Sequence, residues 1–495
     1  MQHTDLRPRA LRNEPVADTL RHLLTTPAGA ALCAVLVGAI VGGGAAFGPI
    51  YVAGGLLALA AGLFIMTSTM AGLVVVFAIM LLLPFGTLPF DIGITPTLLS
   101  LALVGVLGVW VLRLLARSDT YDLRLTPLGL PILGFLGFTF FSLFLGARGL
   151  PDTTTLHNYA KFILGVLLFF SIVNCIRSRK QARFLLRAVI LLGGATAAVG
   201  LFLLILPDEL ALRLLVALGR IGYPTEGRVL RYVEDDVDGL ERAIGTAVDP
   251  NSFGGMLALV LALAAAQLFA RRPVLPYPVL VGCVGLMGLA LLLTFSRAAL
   301  FGVIFAAIYL ATLRYRRLWW AMIAAGVCGV VVLSSIGIFD DFVQRVTEGV
   351  QFQDQAQQMR LAEYQNAIAI IQRYPVFGIG FGAAPEIDLV AGVSSIYLAI
   401  GQRMGLVGLA AFLAIVAAWF VQTVQVLPQL DEERAAWVLG TQAGLVAALA
   451  VGLADHYFFN IEFSHMGAMF WGCMSLGLAV VGVEEGEPPG GAGPM

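Results

Sequence analysis

Arg297 is the only charged residue in LLLTFSRAALFGV, residues 291–303, where it separates two strongly apolar runs. An ionisable side chain in such a setting either faces a cavity and does chemistry there, or snorkels to the lipid headgroups. A guanidinium is planar and presents five N–H donors, so a cavity-facing arginine suits phosphate or carboxylate oxygens. All of the 30 basic residues except Lys161 and Lys180 are arginine, which reflects either coding composition or the same chemistry. Two other stretches stand out. In ERAIGTAVDPNSFGG, Asp249 or Asn251 serves as an N-cap around Pro250 at a helix start. In YPVFGIGFG, Gly378, Gly380 and Gly382 let backbone come close to a ligand, but no phosphate-loop lysine follows and no strand precedes.

The elements that must carry these residues are membrane helices. Of the 495 residues 59% are hydrophobic and 12% charged, and the mean hydropathy is +0.90, which excludes an ordinary soluble domain. A net charge of -1 gives no electrostatic footprint for nucleic acid. Runs of about 20 apolar residues cross a ~30 Å hydrocarbon core. They fall near 29–47, 49–66, 69–85, 97–115, 128–146, 160–176, 184–206, 252–270, 276–295, 298–313, 318–338, 396–422, 435–454 and 466–483. That gives about fourteen helices and an all-α integral membrane protein.

Basic clusters at Arg113/Arg117/Arg124, Arg177/Arg179/Lys180/Arg183, Arg271/Arg272 and Arg314/Arg316/Arg317 fall in alternate short loops. By the positive-inside rule both termini are cytoplasmic. The expected organisation is a cytoplasmic tail at 1–28, an N-terminal bundle at 29–206 and a first extracytoplasmic loop at 207–251. Central helices at 252–338, a second extracytoplasmic loop at 339–395, C-terminal helices at 396–483 and a disordered tail at 484–495 complete it. In the second loop Met359, Ala362, Ile368 and Ile371 recur at helical spacing, which predicts an amphipathic helix along the outer interface. The cysteines, Cys33, Cys175, Cys283, Cys328 and Cys473, lie unpaired in apolar runs and suggest neither disulfides nor zinc. No carboxylate cluster has metal-ligand spacing, and the acidic run from Glu234 to Glu241 reads as a solvated loop face.

Taken in order, several pieces resemble the O-antigen ligase and polymerase family of bacterial envelope glycosyltransferases. They are RAIGTAVDPN with Arg242, Asp249 and Asn251; Ser296-Arg297 in TFSRAAL; Arg360 with its amphipathic helix; YPVFGIGFG; and YLAIGQRMGLVG. The resemblance implies a glycosyltransferase C-type fold in the bacterial inner membrane. It also implies a donor oligosaccharide on undecaprenyl pyrophosphate, an acceptor glycan, a site on the periplasmic side, and no cofactor or metal. A chain-length regulator protein is a further partner of such systems. Arg297 and Arg360 match the family positions that grip the pyrophosphate, and Arg242 and Arg373 are candidates beside them. Asp249, Asn251, Tyr397 and Tyr457 are candidate substrate contacts.

One departure bears on mechanism. The family pattern opens the last helix of this stretch with a His-Asn pair whose histidine activates the acceptor hydroxyl. Here those positions are Ser394 and Ser395, and the acidic residue nine positions further on is replaced by Arg403. A serine is no base at neutral pH without help. His456, beside Asp455, is the first substitute, because a carboxylate orients an imidazole; its alternative role is an interfacial residue among aromatics. Glu386, in GAAPEIDL, is nearest in sequence to the vacated position, and Asp388, His465 and His157 are further candidates. The functional expectation is polymerisation of surface polysaccharide repeat units. Ligation to a lipid core, a catalytically silent binding subunit, and a transporter or flippase of lipid-linked glycans are the alternatives.

Overall fold

The computed structural model describes residues 68–88, 95–116, 123–145, 151–225, 227–233, 236, 239–335, 355–381 and 393–483, with isolated positions between 27 and 42. The first two predicted runs, both tails and Glu386 and Asp388 fall essentially outside these residues. Every apolar run expected from Thr69 onward is a helix. They are α1 (Thr69–Leu82), α2 (Leu98–Ala116), α3 (Gly129–Leu145), α4 (Thr153–Cys175) and α5 (Arg179–Ile205). After a short α6 (Asp208–Ala217) come α7 (Pro250–Leu268), α8 (Tyr277–Leu293), α9 (Arg297–Leu313) and α10 (Arg317–Ser335). The second loop contributes α11 (Gln355–Arg373), and α12 (Ile396–Val426), α13 (Glu432–Val451) and α14 (Ser464–Val481) close the chain. Seven of these are long and apolar enough to cross a membrane. Among the described residues there is no strand beyond two isolated bridges.

The centre is built from α7, α13 and α14, whose apolar residues are buried nearly all round. Because lipid tails are as apolar as leucine, helices in a bilayer associate by close packing of small residues rather than by hydrophobic burial. The chain does this at Gly440 and Gly444 of α13. A Cβ there would come within 2.9 Å of the Leu263 carbonyl and 3.0 Å of the Leu259 carbonyl on α7. Some buried polar side chains bond across the bundle: Trp419 Nε1 donates to the Met474 carbonyl at 2.8 Å, and Gln442 Nε2 to Thr423 Oγ1 at 2.9 Å.

The bundle has two chemically distinct ends. At one, Arg179 and Arg434 pair with Asp431 at 2.9 and 2.5 Å, Arg271 pairs with Glu432 at 3.2 Å, and Arg183 pairs with Glu433. Arg124 donates its backbone N–H to Asn174 Oδ1 at the same end. Partly exposed pairs of this kind are individually weak, but together they tie the start of α5 and the loop after α7 to the start of α13.

Helix α11 packs beside α12. It runs parallel to the first turns of α12, since Glu363 meets Ser394, Ile371 meets Gly401 and Pro375 accepts from Leu406 N–H. Its buried face holds Ala367 and Ile370, while Met359 and Ile368 are exposed. In a lipid-facing protein an apolar stripe need not be the packed one, and of the predicted stripe Ile371 is the residue that packs on α12. The glycine turn also meets protein rather than open space. Helix α12 breaks at Gly405, and the break frees the carbonyls of Gln402 and Arg403, which accept instead from Ile379 and Gly380 N–H at 2.9 Å each.

Candidate functional site

The opposite end gathers a second set of charged residues. Arg242 leads into the DPN turn and fixes it from two sides. Its Nε donates to the Thr294 carbonyl and its Nη2 to Asn251 Oδ1, both at 2.8 Å. Asp249 caps α7, accepting from Asn251 and Ser252 N–H at 2.8 and 2.9 Å. Ser296 caps α9 by accepting from Ala299 N–H, which makes Arg297 the first residue of that helix, exposed at the turn. The two helix starts lie side by side, as a Cβ on Gly254 of α7 would stand 2.9 Å from Ala299 and 3.1 Å from Ser296. Each is preceded by a non-glycine residue in the left-handed region, Val248 at φ 67 and Phe295 at φ 52. Such strain persists only where surrounding contacts over-determine it, and it collects at functional sites.

The third wall is the segment after α13. Asp455 is buried, and burial followed by the proximity of Asp249 pushes its carboxyl up to about 7, against the pull of Arg360 and Arg242. Residues from α7, α11 and the preceding loop therefore converge on one carboxyl. Its Oδ1 accepts from His456 N–H at 3.1 Å, while Oδ2 is buried without a partner among the described residues. The His456 imidazole stacks on Tyr457 with ring centroids 4.7 Å apart. Its Nδ1 stands 3.7 Å from Asp455 Oδ1, beyond hydrogen-bond reach. Burial lowers the His456 pKa, with Glu363, Asp249, Arg403 and Glu462 as the charges that bear on it. A small cavity of about 60 Å³ opens beside the DPN turn, lined by Tyr223, Arg228, Arg231, Thr246 and Val248 among others. Arg231 bears electrostatically on Tyr457.

Asp455 yields a pH prediction. The folded protein holds the proton to about 7, whereas the unfolded carboxyl releases it near 3.8. Between those values the native state binds more protons, so this group's contribution to stability falls as pH rises through the window. Asp455→Asn is expected to raise Tm above the parent at pH 8 and to match it at pH 4, as measured by thermal unfolding in detergent. A variant that melts lower at both pH values would show that the carboxyl stabilises the fold in its charged form.

The sequence candidates separate. Arg242, Asp249, Asn251, Arg360, Ser394, His456 and Tyr457 are brought to this end, with Arg297 on the adjoining turn. Arg373 is not: thirteen residues after Arg360 on α11, it lies ~20 Å along the helix axis, exposed and over the Tyr374 ring. The Tyr397 hydroxyl is committed to the Leu449 carbonyl at 2.9 Å, which ties α12 to α13. Arg403 Nη1 donates to the Phe381 carbonyl at 3.2 Å and holds the glycine turn. Ser394 donates both its hydroxyl and its backbone N–H to Glu363 Oε2, at 2.7 and 3.0 Å. Glu363 was not among the sequence candidates. The available signal was its position three residues after Arg360, which puts both on one helix face.

The fold defines a polytopic, all-helical membrane protein, and Arg242, Asp249, Arg360, Asp455 and His456 come together at one of its ends. Residues 282–413 match the O-antigen ligase family model. The match contains Arg297, Arg360, Glu363, Ser394 and Arg403, whereas Arg242, Asp249, Asp455 and His456 lie outside it and join the site only through folding. No curated protein matches the chain.

Proposed function

We propose that this chain is a glycosyltransferase of the C type, working at the outer face of the bacterial inner membrane with both termini in the cytoplasm. It transfers an oligosaccharide from undecaprenyl pyrophosphate to an acceptor glycan and polymerises repeat units of a surface polysaccharide. The observation that carries this reading is the convergence of Arg242, Asp249 and Arg360 on the Asp455 segment, beside the paired starts of α7 and α9.

Breaking the bond between a sugar C1 and phosphate leaves negative charge on the pyrophosphate. Guanidinium groups bind phosphate oxygens in bidentate geometry, and helix N-termini add backbone N–H groups and a positive dipole end. Arg297 and Arg360 are assigned to the pyrophosphate, with Arg242 shaping the turn between them. Tyr457 and Asp249 then border the sugar. Charge distributed this way favours a site at one face over the midplane polar path expected of a transporter.

The test is to incubate the purified protein with its lipid-linked oligosaccharide and resolve the products by length. A ladder with released undecaprenyl pyrophosphate is the expected result, and a single addition to an added lipid core would make it a ligase. Binding of the donor with no product under either condition would favour a silent binding subunit, a reading that draws on Ser394 standing where the family has histidine. Turnover is expected to stay within about twofold when EDTA is added, because the arginines take up the leaving-group charge. Loss that zinc or magnesium restores would overturn the metal-free part.

A further inference from the structure

We infer that Glu363 is the base that takes the acceptor's proton, held in position by Ser394, the residue at the family's histidine position. Glu363 has this role only if the chain is the transferase proposed above.

Three geometric facts lead there. First, the Ser394 hydroxyl and backbone N–H both donate to the same oxygen, Oε2, at 2.7 and 3.0 Å. Two donors on one oxygen fix the plane of the carboxylate, and among the described residues no hydrogen bond falls on Oε1. The serine at the family's histidine position therefore holds a carboxylate in place. Second, α11 is pinned at this point, because the Tyr364 hydroxyl donates to the Ser394 carbonyl at 3.0 Å and reaches the Leu453 carbonyl at 3.4 Å. That brings Glu363 against the start of α12 and the end of α13, facing the segment that holds Asp455 and His456.

Third, Glu363 lies three residues after Arg360, and both are half-buried. Three residues advance an α-helix by ~4.5 Å. In a displacement at a sugar carbon, the attacking oxygen approaches to ~3–3.5 Å on the side away from a leaving oxygen that is still bonded. The two oxygens are then spaced by about the same 4.5 Å. One face of α11 thus presents a cation to the departing pyrophosphate and a carboxylate to the entering hydroxyl. His456 is less well placed for this role, since its imidazole stacks on Tyr457 and its Nδ1 lacks a hydrogen-bonded orienting partner.

In the step itself the acceptor oxygen forms a bond to C1. The C1–oxygen bond to pyrophosphate breaks, with its electron pair leaving on undecaprenyl pyrophosphate. The hydroxyl proton passes to Glu363 and from there to water.

The experiment uses the full chain in lipid nanodiscs with undecaprenyl-pyrophosphate-linked oligosaccharide extracted from the producing cell, and it measures donor binding and turnover separately. Glu363→Gln keeps the shape and an oxygen for Ser394, so it is expected to bind donor as the parent does while kcat falls ~10²–10⁴-fold. Glu363→Ala should recover part of the lost turnover when formate is added, which a purely structural residue would not do. His456→Ala should cost less than about tenfold. Turnover of Glu363→Gln within about threefold of the parent, or a loss of donor binding that accounts for the whole defect, would overturn the assignment. A parent protein that releases no undecaprenyl pyrophosphate would bring down the transfer reading and this one together. A parent that turns over alongside an unimpaired Glu363→Gln sinks only the base.

Discussion

Replacing Arg360 with alanine is expected to lower transfer by ~10²–10³-fold, the usual cost of removing one donor from a preorganised anion site. Arg297→Ala is expected to do the same. Neither change should alter expression or Tm appreciably, because Arg297 is exposed at a turn and Arg360 is only half-buried. Arg360→Lys should recover little, since an ammonium offers no planar pair of donors to a phosphate. Arg373→Ala supplies the comparison: the same charge is removed from the same helix, but ~20 Å away, and turnover should stay within a few-fold. Near-parental turnover in both Arg297→Ala and Arg360→Ala would remove the pyrophosphate assignment. Equal losses in all three would point to a general electrostatic effect rather than a local grip.

The second large effect concerns the junction of the glycine turn and α12. Gly405 holds φ 66 and ψ -174, a region open essentially to glycine, and a Cβ there would lie 2.4 Å from the Val376 carbonyl oxygen. Gly378 is its counterpart, at φ 64, with a Cβ position 2.4 Å from the Arg403 backbone. Neither neighbour can yield, because both contacts are backbone within a hydrogen-bonded junction. Leu406 N–H donates to the Pro375 carbonyl at 2.7 Å, and the Ser142 hydroxyl sits between the Phe377 and Arg403 carbonyls at 2.6 and 2.7 Å. Gly405→Ala is therefore expected to cost about 3 kcal/mol or more, read as a large fall in Tm and loss of monodisperse protein in detergent. Ala substitution at Gly285, where a Cβ would meet nothing within 4 Å, should be harmless. A Gly405→Ala protein with unchanged Tm would mean that the junction rearranges freely and does not set the position of α11.

The amino-acid sequence by itself determined the class of the molecule. Apolar runs of bilayer length leave the chain no soluble alternative, and each such run among the described residues is a helix because in lipid the backbone must satisfy its own hydrogen bonds. It also placed a helix start at the DPN turn, with Asp249 or Asn251 as the cap, since capping depends on a few neighbouring residues. It marked Arg297, Arg360 and the DPN turn by type and order.

The tertiary structure decided which of these meet. Asp249 and Asp455 are about two hundred residues apart in the chain, and nothing local to either predicts that burial and proximity will drive the Asp455 carboxyl up to about 7. Arg373 resembles Arg360 in sequence, yet a helix running beside α12 puts one at the site and the other far from it. Glu363 escaped notice for the converse reason. An isolated glutamate on an amphipathic helix has no distinguishing pattern, and only the return of the chain to Ser394 gives it a fixed carboxylate and a place in the chemistry. Local periodicity and capping are short-range effects written in consecutive residues, whereas a site made by four segments exists only once packing has brought them together.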